Sequence, residues 1–185
     1  MNISLPESYL IGLSSLLFVI AILVGRQFLR TRTDEMKLIE LEKGGIEAST
    51  SAGELYELGS VQLRKRLYPQ ATATLKKALK EIKEEPNEAK ALIENAIGFS
   101  LAAQNDFKSA IIHYKQAIKT KADYPVALNN LAFAKKRLLA NDEALNIYQN
   151  VLKIDPNNKT AMRETKRLNK TKNNNTENST NRKGF

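Results

Sequence analysis

Between residues 91 and 158 the chain repeats itself, and this limits what it can fold into more than any other feature. Gly98, Leu101, Ala110, Tyr114 and Ala117 recur as Ala132, Lys135, Ala144, Tyr148 and Val151, at a step of 34 residues. A looser copy, Gly59, Gln62, Ala71, Leu75 and Ala78, lies 39 residues upstream. A fixed period in this range signals stacked units, none of which can bury its apolar face alone. Three units follow, at 52–85, 91–124 and 125–158. Each reads as two antiparallel helices. Gly59, Gly98 and Ala132 fall on the first helix, and Ala71, Ala110 and Ala144 on the second. Small side chains there let two helix axes approach toward the lower end of the ~8–10 Å range. Tyr68, Phe107, Tyr114 and Tyr148 are then expected to fill the space between neighbouring pairs.

The stretch NLAFAKKRLLANDEALNIYQNVLKIDPNN closely resembles the tetratricopeptide repeat. Leu131, Ala132, Ala144, Tyr148, Val151 and Pro156 fit its pattern, while Lys135 stands where that family prefers an aromatic. The resemblance implies an all-α superhelix whose concave face is built mainly by the first helix of each pair. Local signals agree. Pro69, Pro86 and Pro125 each suit a first helical turn, where a missing N–H costs little. Gly53 is expected near the start of the first helix, "AQNDF" as a turn, and Asp123 as a cap for the third repeat. Residues 159–169 read as a capping helix, with Ala161, Met162, Thr165 and Leu168 as its thin apolar stripe. Residues 170–185 have almost no apolar side chains and are expected to be a disordered polar tail.

From Ser8 to Gly25 runs SYLIGLSSLLFVIAILVG, without a charge. Its 18 residues reach ~27 Å as a helix, enough to cross a bilayer core. No second helix of this character exists to pack on it, so a transmembrane anchor over residues 1–25 is preferred to a core helix. No basic start or good cleavage site marks it as a signal peptide. Arg26, Arg30 and Arg32 follow directly, which by the positive-inside rule keeps the repeats on the cytoplasmic or stromal side. Residues 26–51 form a juxtamembrane helix and linker. That helix either continues the span or starts afresh at Thr33-Asp34-Glu35, and Gly44-Gly45 breaks it.

The net charge of +9 suggests nucleic acid until its placement is considered. Residues 159–185 carry a net +6, the three arginines after the apolar run add +3, and residues 33–158 hold only +1. The repeat body is nearly neutral, and no nucleic acid is expected. There is no cysteine, which removes disulfides and thiol chemistry. The one histidine, His113, reads as a solvent-facing helix residue. Pairs such as Glu84-Glu85 and Asp142-Glu143 are ordinary helix-end charges. No phosphate-binding Gly loop and no nucleophile–base set is present. An enzyme, a cofactor, a metal and a small-molecule substrate are therefore not expected.

The expected working surface is the concave face. Helical phase presents Tyr56, Ser60, Leu63 and Arg64 from the first repeat, and Leu92, Asn95, Phe99 and Ala102 from the second. The third contributes Val126, Asn129, Phe133, Lys136 and Arg137. Apolar anchors among carboxamides suit an extended or helical peptide, with the Asn side chains reading backbone groups. Phe99 and Phe133 can equally be core residues.

An apolar helix, then GRQFLRTRTDEMKLIELE, then a linker and ELYELGSVQLRKRLYPQATATLKKALK, resembles a known family. It is the tetratricopeptide photosystem I assembly factor of cyanobacteria and plastids, the hypothetical chloroplast reading frame thirty-seven type. The likeness covers roughly residues 4–168 and leaves out the Asn-rich tail. It implies a single-pass thylakoid protein, with its repeats on the cytoplasmic or stromal side. It implies help in assembling or stabilising photosystem I by binding subunits or intermediates, without catalysis, pigment or metal. The alternative is a generic bacterial membrane-anchored adaptor in envelope or secretion machinery.

Overall fold

The computed structural model of the chain describes residues 5–44, 51–82 and 87–181. Gly45, most of the linker, Glu84-Glu85, Pro86 and residues 182–185 lie outside the described residues. All described elements are helices: α1 (Leu5–Gly44), α2 (Ala52–Arg64), α3 (Tyr68–Glu81), α4 (Asn87–Ala103), α5 (Phe107–Thr120), α6 (Pro125–Arg137), α7 (Asn141–Ile154) and α8 (Lys159–Asn181). They divide into two compact units, one up to Ser49 and one from Thr50 onward.

The first unit is α1, a single helix of 40 residues. It passes through Thr33 without a break, so the cap signal there starts no new helix. Tyr9–Gln27 is long and apolar enough to cross a membrane, and none of its side chains is buried.

In the second unit each helix packs on the next, from α2 through α8, and first helices also meet, α2 on α4 and α4 on α6. The pairs α2–α3, α4–α5 and α6–α7 are the three repeats. Their centres are small residues against large ones. Gly59 lies on Leu75, and Gly98 lies on the ring of Tyr114. Ala132 and Tyr148 share one buried cluster with Ala144, Val151 and Ala161. Burial pushes the Tyr148 phenol up to about 12, and the Tyr114 phenol higher, so both stay neutral. Tyr68, in the first turn of α3, is only half-buried.

Side chains cap the starts of α2, α5 and α8. Ser51 and Glu54 form a reciprocal capping box on α2, which therefore begins one residue before Gly53. Asp106 accepts from the Ser109 N–H at 3.1 Å, and Asn158 accepts from the Ala161 N–H at 3.1 Å. Asp123, expected as the cap of α6, does not serve. Tyr124 holds that position without a side-chain bond. Pro125 explains this, since it opens the helix, lacks an N–H, and pushes the preceding residue into extended backbone. Inside each repeat, the turn between helices carries one residue with positive φ: Arg66 (61°), Asn105 (65°) and Leu139 (63°).

The polar segment 170–181, expected to be disordered, continues α8. Nucleation is the costly step of helix formation. Once Ala161, Glu164 and Leu168 pin the first turns into the stack, each further residue adds at little cost.

Two tests follow from this packing. A Cβ on Gly98 would meet the Tyr114 ring at 2.6 Å, whereas one on Gly53 finds nothing closer than 3.9 Å. Gly98→Ala is expected to destabilise the repeats by ~1–3 kcal/mol, while Gly53→Ala adds up to ~1 kcal/mol through helix propensity. Urea unfolding of the two variants checks the opposite signs. Leu139→Asn, by relieving a left-handed position that favours Asn over Leu, is expected to raise the thermal midpoint with a gain of ~1 kcal/mol.

Candidate functional site: the concave face

The candidate surface is carried by the first helices α2, α4 and α6. On α4, Leu92, Asn95 and Phe99 fall on one stripe, and the 34-residue step repeats it on α6 as Val126, Asn129 and Phe133. Four apolar side chains of these stripes remain open: Val126 at 55%, Phe99 at 46%, Leu92 at 42% and Phe133 at 41% exposure. Large apolar side chains left open at equivalent positions of neighbouring helices make this face the candidate interaction surface.

The residues expected here do not all stand alike. Tyr56 and Leu63 are half-buried and pack on the cluster of Leu75, Ile93 and Ile97, so they support the floor more than they offer contacts. Arg64 is exposed in the last turn of α2. Phe133 is partly packed and partly open. One side packs edge-on against the buried Phe107 ring, with centroids 6.3 Å apart, and the rest is open. Phe99 is open. Lys136 lies 5.6 Å from the Phe133 ring centre, and Arg137 lies over Phe107 at 4.5 Å. Such stacking holds both cations beside the aromatic patch.

The carboxamides differ from expectation. Asn95 Oδ1 accepts from Asn130 Nδ2 at 3.0 Å, and its side chain also bonds the Tyr124 hydroxyl. Asn129 Nδ2 donates to Asn158 Oδ1 at 3.1 Å. These groups tie each first helix to its neighbour instead of standing ready for a ligand's backbone. The reason is spacing: adjacent first helices bring amides some 30 residues apart into contact, and a satisfied buried amide is worth more than an open one. The Asn129 Oδ1 atom is enclosed without a donor.

Charge is concentrated toward the α8 end. Lys136 Nζ meets the buried Glu164 at 2.5 Å, and Arg163 Nε reaches the same carboxylate at 3.5 Å. Burial raises the Glu164 pKa, but Lys136, Arg163 and Arg167 outweigh it and hold the carboxyl below its usual value.

His113 is not solvent-facing as expected. It is half-buried, and its Nδ1 lies 2.7 Å from the Glu94 carboxylate, which is itself buried in α4. The pair joins the two helices of the second repeat. Among the described residues no group of three or more His, Asp or Glu is placed to hold a metal ion.

No protein-family model matches the chain. It is 30% identical over 161 residues to the ycf37 protein of Guillardia theta, covering 87% of this chain and 90% of that one. It is 31% identical over 158 residues to ycf37 of Cyanophora paradoxa, covering 84% and 90%. The chain belongs to the ycf37 family. This ycf37-family chain is also 36% identical over 162 residues to the chloroplast tetratricopeptide repeat domain-containing protein PYG7 of Arabidopsis thaliana. It spans only about half, 53%, of that relative's length. Among solved structures, MamA superposes with a TM-score of 0.69 at 18% identity, covering 78% of this chain and 83% of that one. The first tetratricopeptide domain of Spaghetti, solved with an HSP90 peptide, gives 0.60 at 21% identity, covering 66% and 96%. These show that the ycf37-family chain has the tetratricopeptide fold.

The Lys136–Glu164 pair gives a pH-dependent test. Lys136→Met leaves the buried carboxylate short of its main donor and is expected to cost ~1–3 kcal/mol at neutral pH. A depressed carboxyl pKa stabilises fully above the unfolded value, near ~4.5, and that contribution is lost as pH falls through the folded value. The gap between wild type and variant should therefore close in acid, as read by unfolding at a series of pH values.

Proposed function

We propose that the protein is a membrane-anchored tetratricopeptide scaffold that assists the assembly or stability of photosystem I. Its concave face holds a segment of an unassembled subunit or intermediate until neighbouring subunits replace it. The exposed patch of Leu92, Phe99, Val126 and Phe133 on α4 and α6 carries the reading of the groove as a polypeptide site. Photosystem I enters through the resemblance of the Arg-rich junction and first repeat, and ycf37 and chloroplast relatives are consistent with it. Those plastid relatives disfavour the alternative of a bacterial envelope adaptor. The protein binds and releases; it transforms nothing.

In this reading Tyr9–Gln27 spans the thylakoid membrane once. The arginines that follow keep the repeats on the cytoplasmic or stromal side. Anchoring confines the groove to a layer near the membrane and raises its effective concentration toward membrane-bound partners. Phe99 and its neighbours are the contacts; Asn95 and Asn129 shape the face that presents them.

Deleting the protein is expected to lower the photosystem I level relative to photosystem II, as read by low-temperature fluorescence and immunoblots. Phe99→Ser is expected to reduce photosystem I subunits co-purifying from detergent-solubilised membranes without changing the protein's helix content. Unchanged photosystem I in the deletion strain would sink the assembly role.

A further inference from the structure

The concave stripe does not stop at the third repeat. One more step of 34 residues carries Asn129, Phe133 and Lys136 of α6 onto Arg163, Arg167 and Lys170 of α8. The register is physical, because the same step takes buried Ala127 to buried Ala161 and buried Ala134 to buried Leu168. All three cations of α8 are exposed. Lys136 of α6 adjoins the group through Glu164, a carboxylate it shares with Arg163. The inner face thus changes character along its length. It is apolar over α4 and α6, with Phe99 and Phe133 open, and strongly basic at α8. A cap needs only a polar outer face to end a stack. Solubility does not require that Arg163, Arg167 and Lys170 on its groove side all carry one sign.

We propose that the occupant of the groove is a polypeptide segment that is apolar along α4 and α6 and acidic where it reaches α8. This rests on the reading of the concave face as a polypeptide site and adds direction and chemistry to it. Apolar contacts supply affinity, while the cations select the sign of the flanking charge and fix which way the segment lies. A segment with the reverse order would place its acids on the aromatic patch and leave the cations unmatched.

The test uses the full chain in nanodiscs of neutral lipid. Its probes are two fluorescein-labelled peptides, each with a Leu/Phe half followed by either an Asp/Glu half or an Asn/Gln half. Fluorescence anisotropy is expected to show the acidic peptide binding about tenfold more tightly at low salt, with the preference shrinking as salt rises. The triple variant Arg163→Gln, Arg167→Gln, Lys170→Gln changes only exposed side chains. It is expected to lose that preference while keeping its helix content. Equal binding of the two peptides, absence of binding by either, or an undiminished preference in the triple variant overturns the proposal. So does a preference that vanishes when the nanodiscs contain phosphatidylglycerol, which would assign the cations to lipid headgroups. Capture from membranes separates the two levels. If Phe99→Ser loses the photosystem I subunits and the triple variant keeps them, the groove stands and its acidic selectivity falls. If both variants keep them, the groove reading itself falls.

Discussion

The whole stack depends on one close approach, made three times. A residue with little or no side chain on the first helix of each repeat receives a large side chain from the second. Gly59 takes Leu75, and Gly98 takes Tyr114. Ala132 and Tyr148 share the third buried centre. This contact sets the distance between the two helices of a pair, and the next first helix then packs against that pair. The register of the inner face follows from it. One step further on, the corresponding residue in α8 is the exposed Lys166. No further helix among the described residues packs beyond it, and the stack closes there.

Polar groups do the second job, which is to lock neighbouring repeats into a single register. Between repeats one and two, the Ser100 hydroxyl donates to the Tyr68 carbonyl at 2.7 Å and lies 2.8 Å from the Thr72 hydroxyl. Further along, Asn130 bonds Asn95, Asn129 bonds Asn158, and Lys136 bonds Glu164. Apolar packing alone tolerates sliding, whereas a buried donor that loses its acceptor costs about 1–3 kcal/mol. These bonds therefore specify geometry more than they add stability. They also occupy the carboxamides, so the surface left over is aromatic, aliphatic and cationic.

Much of this was legible in the chain, in ways that differ by residue. Helix existence was readable because each pair repeats the same apolar spacing. The capping box at Ser51 and Glu54 was equally readable, as Ser-x-x-Glu before an apolar run. Asp123 misled, because the proline two residues on decides where α6 begins. His113 misled for another reason. Its own helix turns it away from Tyr114, but α4 lies alongside and offers Glu94. Residues 170–181 lack the apolar content to fold alone, and composition says nothing of a helix already nucleated ahead of them.

The sequence alone determined the helix pairs, their period, the apolar span near the start and the segregation of charge to the ends. Each of these is written in spacing along a single segment, where local backbone geometry converts it into a face or a length. Tertiary structure decided which side chains remain open on the inner face. Phe99 stays uncovered, Phe133 is half engaged by Phe107, and both asparagines bond neighbouring elements. Those outcomes depend on distances of a few ångströms between side chains some 30 residues apart, and periodicity carries no such distances.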